Sequence, residues 1–218
     1  MIKAVLFDLD GTLIDTNKLI LESFKYTFRT HLNMEMEEER IVKFFGQPLR
    51  KSLATVAPEK VDQLVDTFHQ FNSSNHDILA EKYEGTLEAI TALKERGIKI
   101  AIVTSKRRVM TERSLKLIQV YDLMDVIITP EDTDKHKPDG KPALLACERL
   151  GISPEEAIMV GDSIYDVKCG KNAGTKTCIV TYSFFSIEDL LKEKPDYVID
   201  KLWELLDIIE GESIEKIS

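Results

Sequence analysis

Four groups of residues in this 218-residue chain have the types and the spacing to do chemistry. The first follows the apolar run Val5-Leu6-Phe7 and reads Asp8-Leu9-Asp10-Gly11-Thr12. Asp8 and Asp10 are two apart, so in an extended chain both carboxylates point to the same side. Two carboxylates so close repel unless a cation or a proton intervenes. Gly11 permits a tight turn, and Thr12 offers a hydroxyl and an amide. Such oxygen donors suit Mg²⁺, which takes a few carboxylates together with substrate phosphate. The bland alternative is a strand end that is merely acidic and turn-forming.

The second group, Val160-Gly161-Asp162-Ser163-Ile164-Tyr165-Asp166, also follows an apolar run. If a helix starts there, Asp162 and Asp166 share a face. Helix capping explains one of these acids, but not four acids after two separate buried strands. The third group is Thr104-Ser105-Lys106, where a hydroxyl and the following amides could hold phosphate oxygens. Taken alone it is an ordinary cap or turn. The fourth is Lys135-His136-Lys137-Pro138-Asp139. A loop lysine is usually solvated, and Lys137 gains meaning only beside the other three groups. Several carboxylates and a dianionic phosphate call for a fixed cation besides a metal.

These groups need elements to position them. Short apolar runs, Ala4–Phe7, Ile98–Val103, Val126–Thr129, Ala157–Val160, Thr177–Val180 and Tyr197–Ile199, are rich in Val and Ile and lack polar alternation. That pattern fits strands buried on both faces of a parallel sheet. Helical patterns lie between them at 87–96, 109–119, 142–150, 165–173 and 187–193. The alternation argues for an α/β fold, a doubly wound parallel sheet with a Rossmann-like core. One segment breaks it. Residues 19–32 and 37–45 have helical spacing, and 58–83 reads as one long amphipathic helix. On that helix Val61, Leu64, Val65, Phe68 and Phe71 form the apolar stripe, while His69, Asn72, Asn75 and His76 read as an exposed polar face. The expected division is a catalytic core of 1–16 and 83–218 and an inserted all-helical cap of 17–82. Ligands bind at the carboxyl ends of such strands, so the insertion is expected to act as a lid.

Composition narrows the classes. A net charge of −9 disfavours general binding to nucleic acid or to an anionic membrane. The three cysteines, Cys147, Cys169 and Cys178, form no CxxC pair, which argues against a disulfide framework or a zinc site. A cytoplasmic protein, monomeric or homodimeric, is expected. Residues 211–218 read as a frayed tail.

Taken together, the four groups resemble the motifs of the haloacid dehalogenase superfamily of hydrolases. Asp8-Leu9-Asp10-Gly11-Thr12 matches the first motif, Thr104 the second, Lys137 the third, and Gly161-Asp162 with Asp166 the fourth. The resemblance implies catalytic roles for Asp8, Asp10, Thr104 and Lys137. Asp8 would attack phosphorus and carry an aspartyl-phosphate. Asp10 would serve as acid and then base. Thr104 and Lys137 would hold the phosphoryl group. It implies a Mg²⁺ site made by the side chains of Asp8 and Asp162 and the backbone carbonyl of Asp10, with Asp166 supporting from behind. Gly11, Thr12, Ser105 and Lys106 are the expected core contacts to a small phosphorylated substrate, and Gln47 and Arg50 the expected cap contacts. Asp10 argues against a dehalogenase. Thr12 argues for a phosphatase over a sugar-phosphate mutase, which stays an alternative beside a non-catalytic binding module.

Within the superfamily the chain looks closest to the phosphoglycolate phosphatase-like branch. More narrowly, it is similar to the bacterial pyrophosphatases linked to HPr serine-phosphate dephosphorylation. The residues behind that likeness are Thr12-Leu13-Ile14-Asp15-Thr16-Asn17, Gln70-Phe71-Asn72 with His76-Asp77, and Asn172-Ala173-Gly174-Thr175-Lys176-Thr177. This implies inorganic pyrophosphate as substrate, with phosphoglycolate or another small phosphomonoester as the alternative. One departure is Gly140, where the third motif usually has proline; a looser loop around Lys137 is expected.

Overall fold

The structure is a computed structural model that describes residues 1–182 and 184–211. The frayed tail expected at 211–218 therefore lies, but for Gly211, outside the described residues. The chain divides into two compact units, Met1–Ile14 with Lys82–Ser218, and Asp15–Glu81.

The first unit is built on six parallel strands. In chain order the strands are β1 (Ala4–Phe7), β2 (Ile14–Asp15), β3 (Glu81–Lys82), β4 (Lys99–Val103), β5 (Val126–Ile128), β6 (Ala157–Gly161), β7 (Lys176–Val180) and β8 (Tyr197–Ile199). The large sheet runs β5-β4-β1-β6-β7-β8, and β2 pairs with β3 in a separate two-stranded ribbon. Phe7 is in register with Ile102 on one side and Val160 on the other. The chain moves outward from β1 through β4 and β5, then crosses back to β6, so the order reverses about β1. Ligands bind at such reversals, beyond the carboxyl ends of the strands.

All four residues of β1 are fully buried. Ala4 and Leu6 face a layer made with Ala101, Val103, Ala157 and Met159 and closed by Ala143, Ala146 and Ala173 of the helices Lys141–Leu150 and Ile164–Ala173. Val5, Phe7, Ile100, Ile102, Ile158 and Val160 are buried as well. Burial on both faces explains why these strands read as unbroken apolar runs. Truncating one of their large side chains to Ala should cost about 2–5 kcal/mol.

The second unit consists mainly of helices, the longest being Asn17–Leu32 and Val61–Leu79. Phe24 meets Phe28, Phe44 and Phe68 at ring-centroid distances of 5.8, 5.4 and 4.8 Å. The long helix departs from expectation at both ends. Pro58–Lys60 is a 3-10 turn, and helix gives way at Ala80 to extended chain that pairs as β3. No Gly or Pro marks that exit in the sequence. The polar face is also corrected. Asn72 and His76 are buried, because a spacing of four continues the ridge of Leu64 and Phe68. Asn72 Nδ2 donates to Ser23 Oγ at 3.3 Å, so its burial is matched by a partner. The helices Leu49–Ala54 and Glu204–Glu210 are additions to the elements read from sequence.

Candidate active site

Asp8, Thr104 and Asp162 are each the first residue beyond a strand, after β1, β4 and β6. The sheet ladder carries on into the first two. The Asp8 amide donates to Val160 O at 2.8 Å and the Thr104 amide to Ile128 O at 3.1 Å. Phe7 is in register with Ile102 and Val160, so β4 and β6 run one residue past β1 and the three residues leave neighbouring strand ends within a residue of one level.

The turn after Asp8 is tight. Leu13 N donates to Leu9 O at 2.9 Å and Gly11 N to Ile14 O at 2.8 Å. Gly11 has φ +80°, and a Cβ there would lie 2.4 Å from Asp162 Oδ2. Only glycine meets both demands. The Tyr182 hydroxyl donates to Thr12 O at 2.8 Å, tying the turn to the segment after β7.

Lys137 is buried, with its side chain 2% exposed. Its ammonium lies 2.9 Å from Asp8 Oδ1 and 2.6 Å from Asp166 Oδ1. The loop that carries it is pinned rather than loosened, contrary to the expectation from Gly140. A Cβ on Gly140 would come within 2.6 Å of the backbone at Asn172 and Ala173, and Asn172 Nδ2 donates to Pro138 O at 2.8 Å. The glycine allows the two backbones to touch, and the contact fixes the loop.

Asp166 works in two directions. Its Oδ1 takes Lys137, while its Oδ2 accepts from Ser163 N at 3.0 Å and Ser163 Oγ at 2.6 Å. The bond from Ser163 N is one half of a capping box whose other half is the Asp166 amide donating to the Ser163 side chain, and the box starts the helix Ile164–Ala173. Capping and cation-holding thus coexist in one side chain.

Carboxylate oxygens of Asp8, Asp162 and Asp166 lie within 4.8 Å of one another, and all three residues are buried. Burial pushes the Asp8 carboxyl up to about 7; Lys137 pulls against this and the charge of Asp166 adds to it. Burial, then the charges of Asp166 and Asp8, push Asp162 well above its ordinary value. Burial works against the Lys137 ammonium, but Asp166 and Asp8 overcome it and raise the group. Three crowded acids around Lys137 make a site that favours further positive charge. A hard divalent cation with oxygen ligands fits that donor set.

Asp10 belongs to a different pairing. Its Oδ1 accepts from Lys106 Nζ at 2.6 Å, and the lysine side chain is 8% exposed. Thr104 Oγ1 accepts from the Lys106 amide at 3.1 Å. The Ser105 and Thr12 hydroxyls are buried without a hydrogen-bond partner among the described residues. The other two candidates lie in the Asp15–Glu81 unit. There Gln47 Nε2 donates to Lys43 O at 2.7 Å, and Arg50 forms an ion pair with Asp62. Of the residues that support the site, Ser163 was legible as a capping signal, whereas Tyr182 lies 170 residues from its partner and gave none.

Residues 5–180 match the haloacid dehalogenase-like hydrolase family. The chain belongs to that family. The hydrolase is 48% identical over 96% of its length to a Clostridium perfringens protein that carries the provisional name pyrophosphatase PpaX, 98% of which is covered. It is 41% identical over 95% of its length to the pyrophosphatase PpaX of Bacillus cereus, 96% of which is covered. The crystal structure of a predicted phosphoglycolate phosphatase from Haemophilus somnus shares the hydrolase's fold, with a TM-score of 0.86 at 21% identity over 95% of this chain and 97% of that one. Among the described residues no helix of the hydrolase is long and apolar enough to cross a membrane.

Proposed function

We propose that this hydrolase is a Mg²⁺-dependent phosphohydrolase that works through an aspartyl-phosphate on Asp8, with inorganic pyrophosphate as its substrate. The observation that carries the mechanism is the buried Lys137, bridging Asp8 and Asp166 beside Asp162. An ion pair so placed keeps a carboxylate available for attack on phosphorus.

Asp8 and Asp162 would hold the metal, joined by the backbone carbonyl of Asp10. Both oxygens of Asp166 are already engaged by Lys137 and Ser163, which supports a role for it behind the metal ligands. Mg²⁺ when bound would neutralise charge on the phosphate oxygens. The protein's own groups do the rest. Thr104 and Lys137 orient the phosphoryl group, and the buried Ser105 and Thr12 hydroxyls offer it donors. Asp10 gives a proton to the leaving oxygen and takes one from the attacking water. Since these core groups address only the phosphoryl group and its surroundings, residues 17–82 are read as a cap that selects the remainder of the substrate, with Gln47 and Arg50 as candidate contacts.

The names of the relatives at 48% and 41% identity support pyrophosphate over a phosphomonoester. Initial rates on pyrophosphate and phosphoglycolate, measured side by side with and without Mg²⁺, test the proposal. A Mg²⁺-dependent rate that favours pyrophosphate is expected. A rate on pyrophosphate no better than on generic phosphomonoesters overturns the substrate reading.

A further inference from the structure

Lys106 is a cation with its side chain 8% exposed, and its ammonium sits 2.6 Å from the carboxylate of Asp10. A lysine that only started the helix Arg108–Leu117 would point to solvent. Burying an ammonium is costly unless an anion meets it. In this site that anion is the Asp10 carboxylate, which on the reading above, once protonated, delivers its proton to the departing oxygen. Whatever leaves must therefore pass within a hydrogen bond's reach of Asp10, and so close to Lys106. Beside it, the buried Ser105 hydroxyl has no hydrogen-bond partner among the described residues. An unsatisfied buried donor carries a penalty that a bound oxyanion relieves.

We propose that Lys106 selects for a leaving group that is itself anionic, by holding the departing phosphate of a diphosphate beside Asp10. The proposal rests on the pyrophosphate reading above. An Asp8 oxygen forms a bond to one phosphorus as the bridging P–O bond breaks. The electron pair of that bond and the Asp10 proton go to the bridging oxygen, which leaves as inorganic phosphate. Water then cleaves the aspartyl-phosphate, giving its proton to Asp10 and releasing the second phosphate. An alcohol leaving an ordinary monoester is neutral once protonated and gives Lys106 nothing to hold. A departing phosphate still bears negative charge on its outer oxygens. A fixed ammonium stabilises that charge as it develops, where water is largely excluded.

The test compares wild type, Lys106→Met and Lys106→Arg on pyrophosphate and on ethyl phosphate at saturating Mg²⁺. Lys106→Met is expected to lower kcat/KM on pyrophosphate by about 100-fold and on ethyl phosphate by at most about tenfold. Lys106→Arg, which keeps the cation, is expected to retain the preference. Equal losses on both substrates overturn the proposal, because a lysine that merely tethers Asp10 would affect both. So does the absence of loss on pyrophosphate. If Lys106→Met fails to fold by circular dichroism, Lys106→Gln is read by the same criteria. Failure of the underlying reading shows separately, as a wild type no faster on pyrophosphate than on ethyl phosphate, and the proposal falls with it.

Discussion

Asp8 and Asp132 both stand beyond the carboxyl end of a parallel strand, and both are contacted by basic side chains. Their acidities move in opposite directions. Asp132 accepts hydrogen bonds from the Thr129 amide and hydroxyl, from Arg108 and from Arg149. Burial works against its ionisation, but these donors overcome it and hold the carboxyl at about 2. Asp8 shares Lys137 with Asp166, is buried near Asp162, and is pushed up to about 7. The ratio of donors to acids decides the outcome. Several donors on one partly exposed carboxylate make a clamp that holds a loop. Several carboxylates on one buried ammonium make a site with negative charge to spare, which is what a divalent cation and a nucleophile require.

The largest expected effect separates the two groups by activity. Asp8→Asn should lower kcat on pyrophosphate by about 10⁴-fold or more, while thermal unfolding shows no loss of stability, since one crowded charge is removed. A destabilised Asp8→Asn protein would show that the cluster holds the fold rather than storing charge for chemistry. Lys137→Met should both abolish turnover and destabilise by about 3–5 kcal/mol, because it leaves buried carboxylates uncompensated; urea unfolding measures this. Asp132→Ala should destabilise by about 2–3 kcal/mol and change kcat/KM little. A rate loss comparable to that of Asp8→Asn would erase the distinction between clamp and site.

The smallest effect sharpens the comparison through pH. The ordinary value for both acids is 3.8. Asp132, lowered when folded, adds stability that is complete above about pH 4 and is lost as pH falls through 2. Asp8, raised when folded, acts the other way: in metal-free protein its contribution declines as pH rises from about 4 through 7. Added Mg²⁺ should therefore raise Tm more at pH 8 than at pH 5, by about 5–10 °C at hundredfold saturation. Equal shifts at both pH values would mean that the metal does not bind through the crowded acids.

Much of the fold was legible because its signals are local. Runs such as Ala4–Phe7 and Ala157–Gly161 are apolar on both faces, and helices follow them at short intervals. Acids placed directly after two such runs made Asp8 and Asp162 readable as a pair before any contact was known. Local signals also misled. Asn72 and His76 look solvated by composition but lie on a buried ridge. Gly140 looks like slack and is a point of backbone contact.

The sequence by itself determined the alternation of strand and helix and the acids at the strand ends, because both depend on neighbours a few residues apart. Tertiary structure alone decided which charges meet. Lys137 reads as surface until the fold brings it to Asp166, 29 residues away, and Lys106 joins Asp10 across 96 residues. Burial at those meetings sets the acidity of Asp8, and burial is a property of the packed sheet rather than of any segment in it.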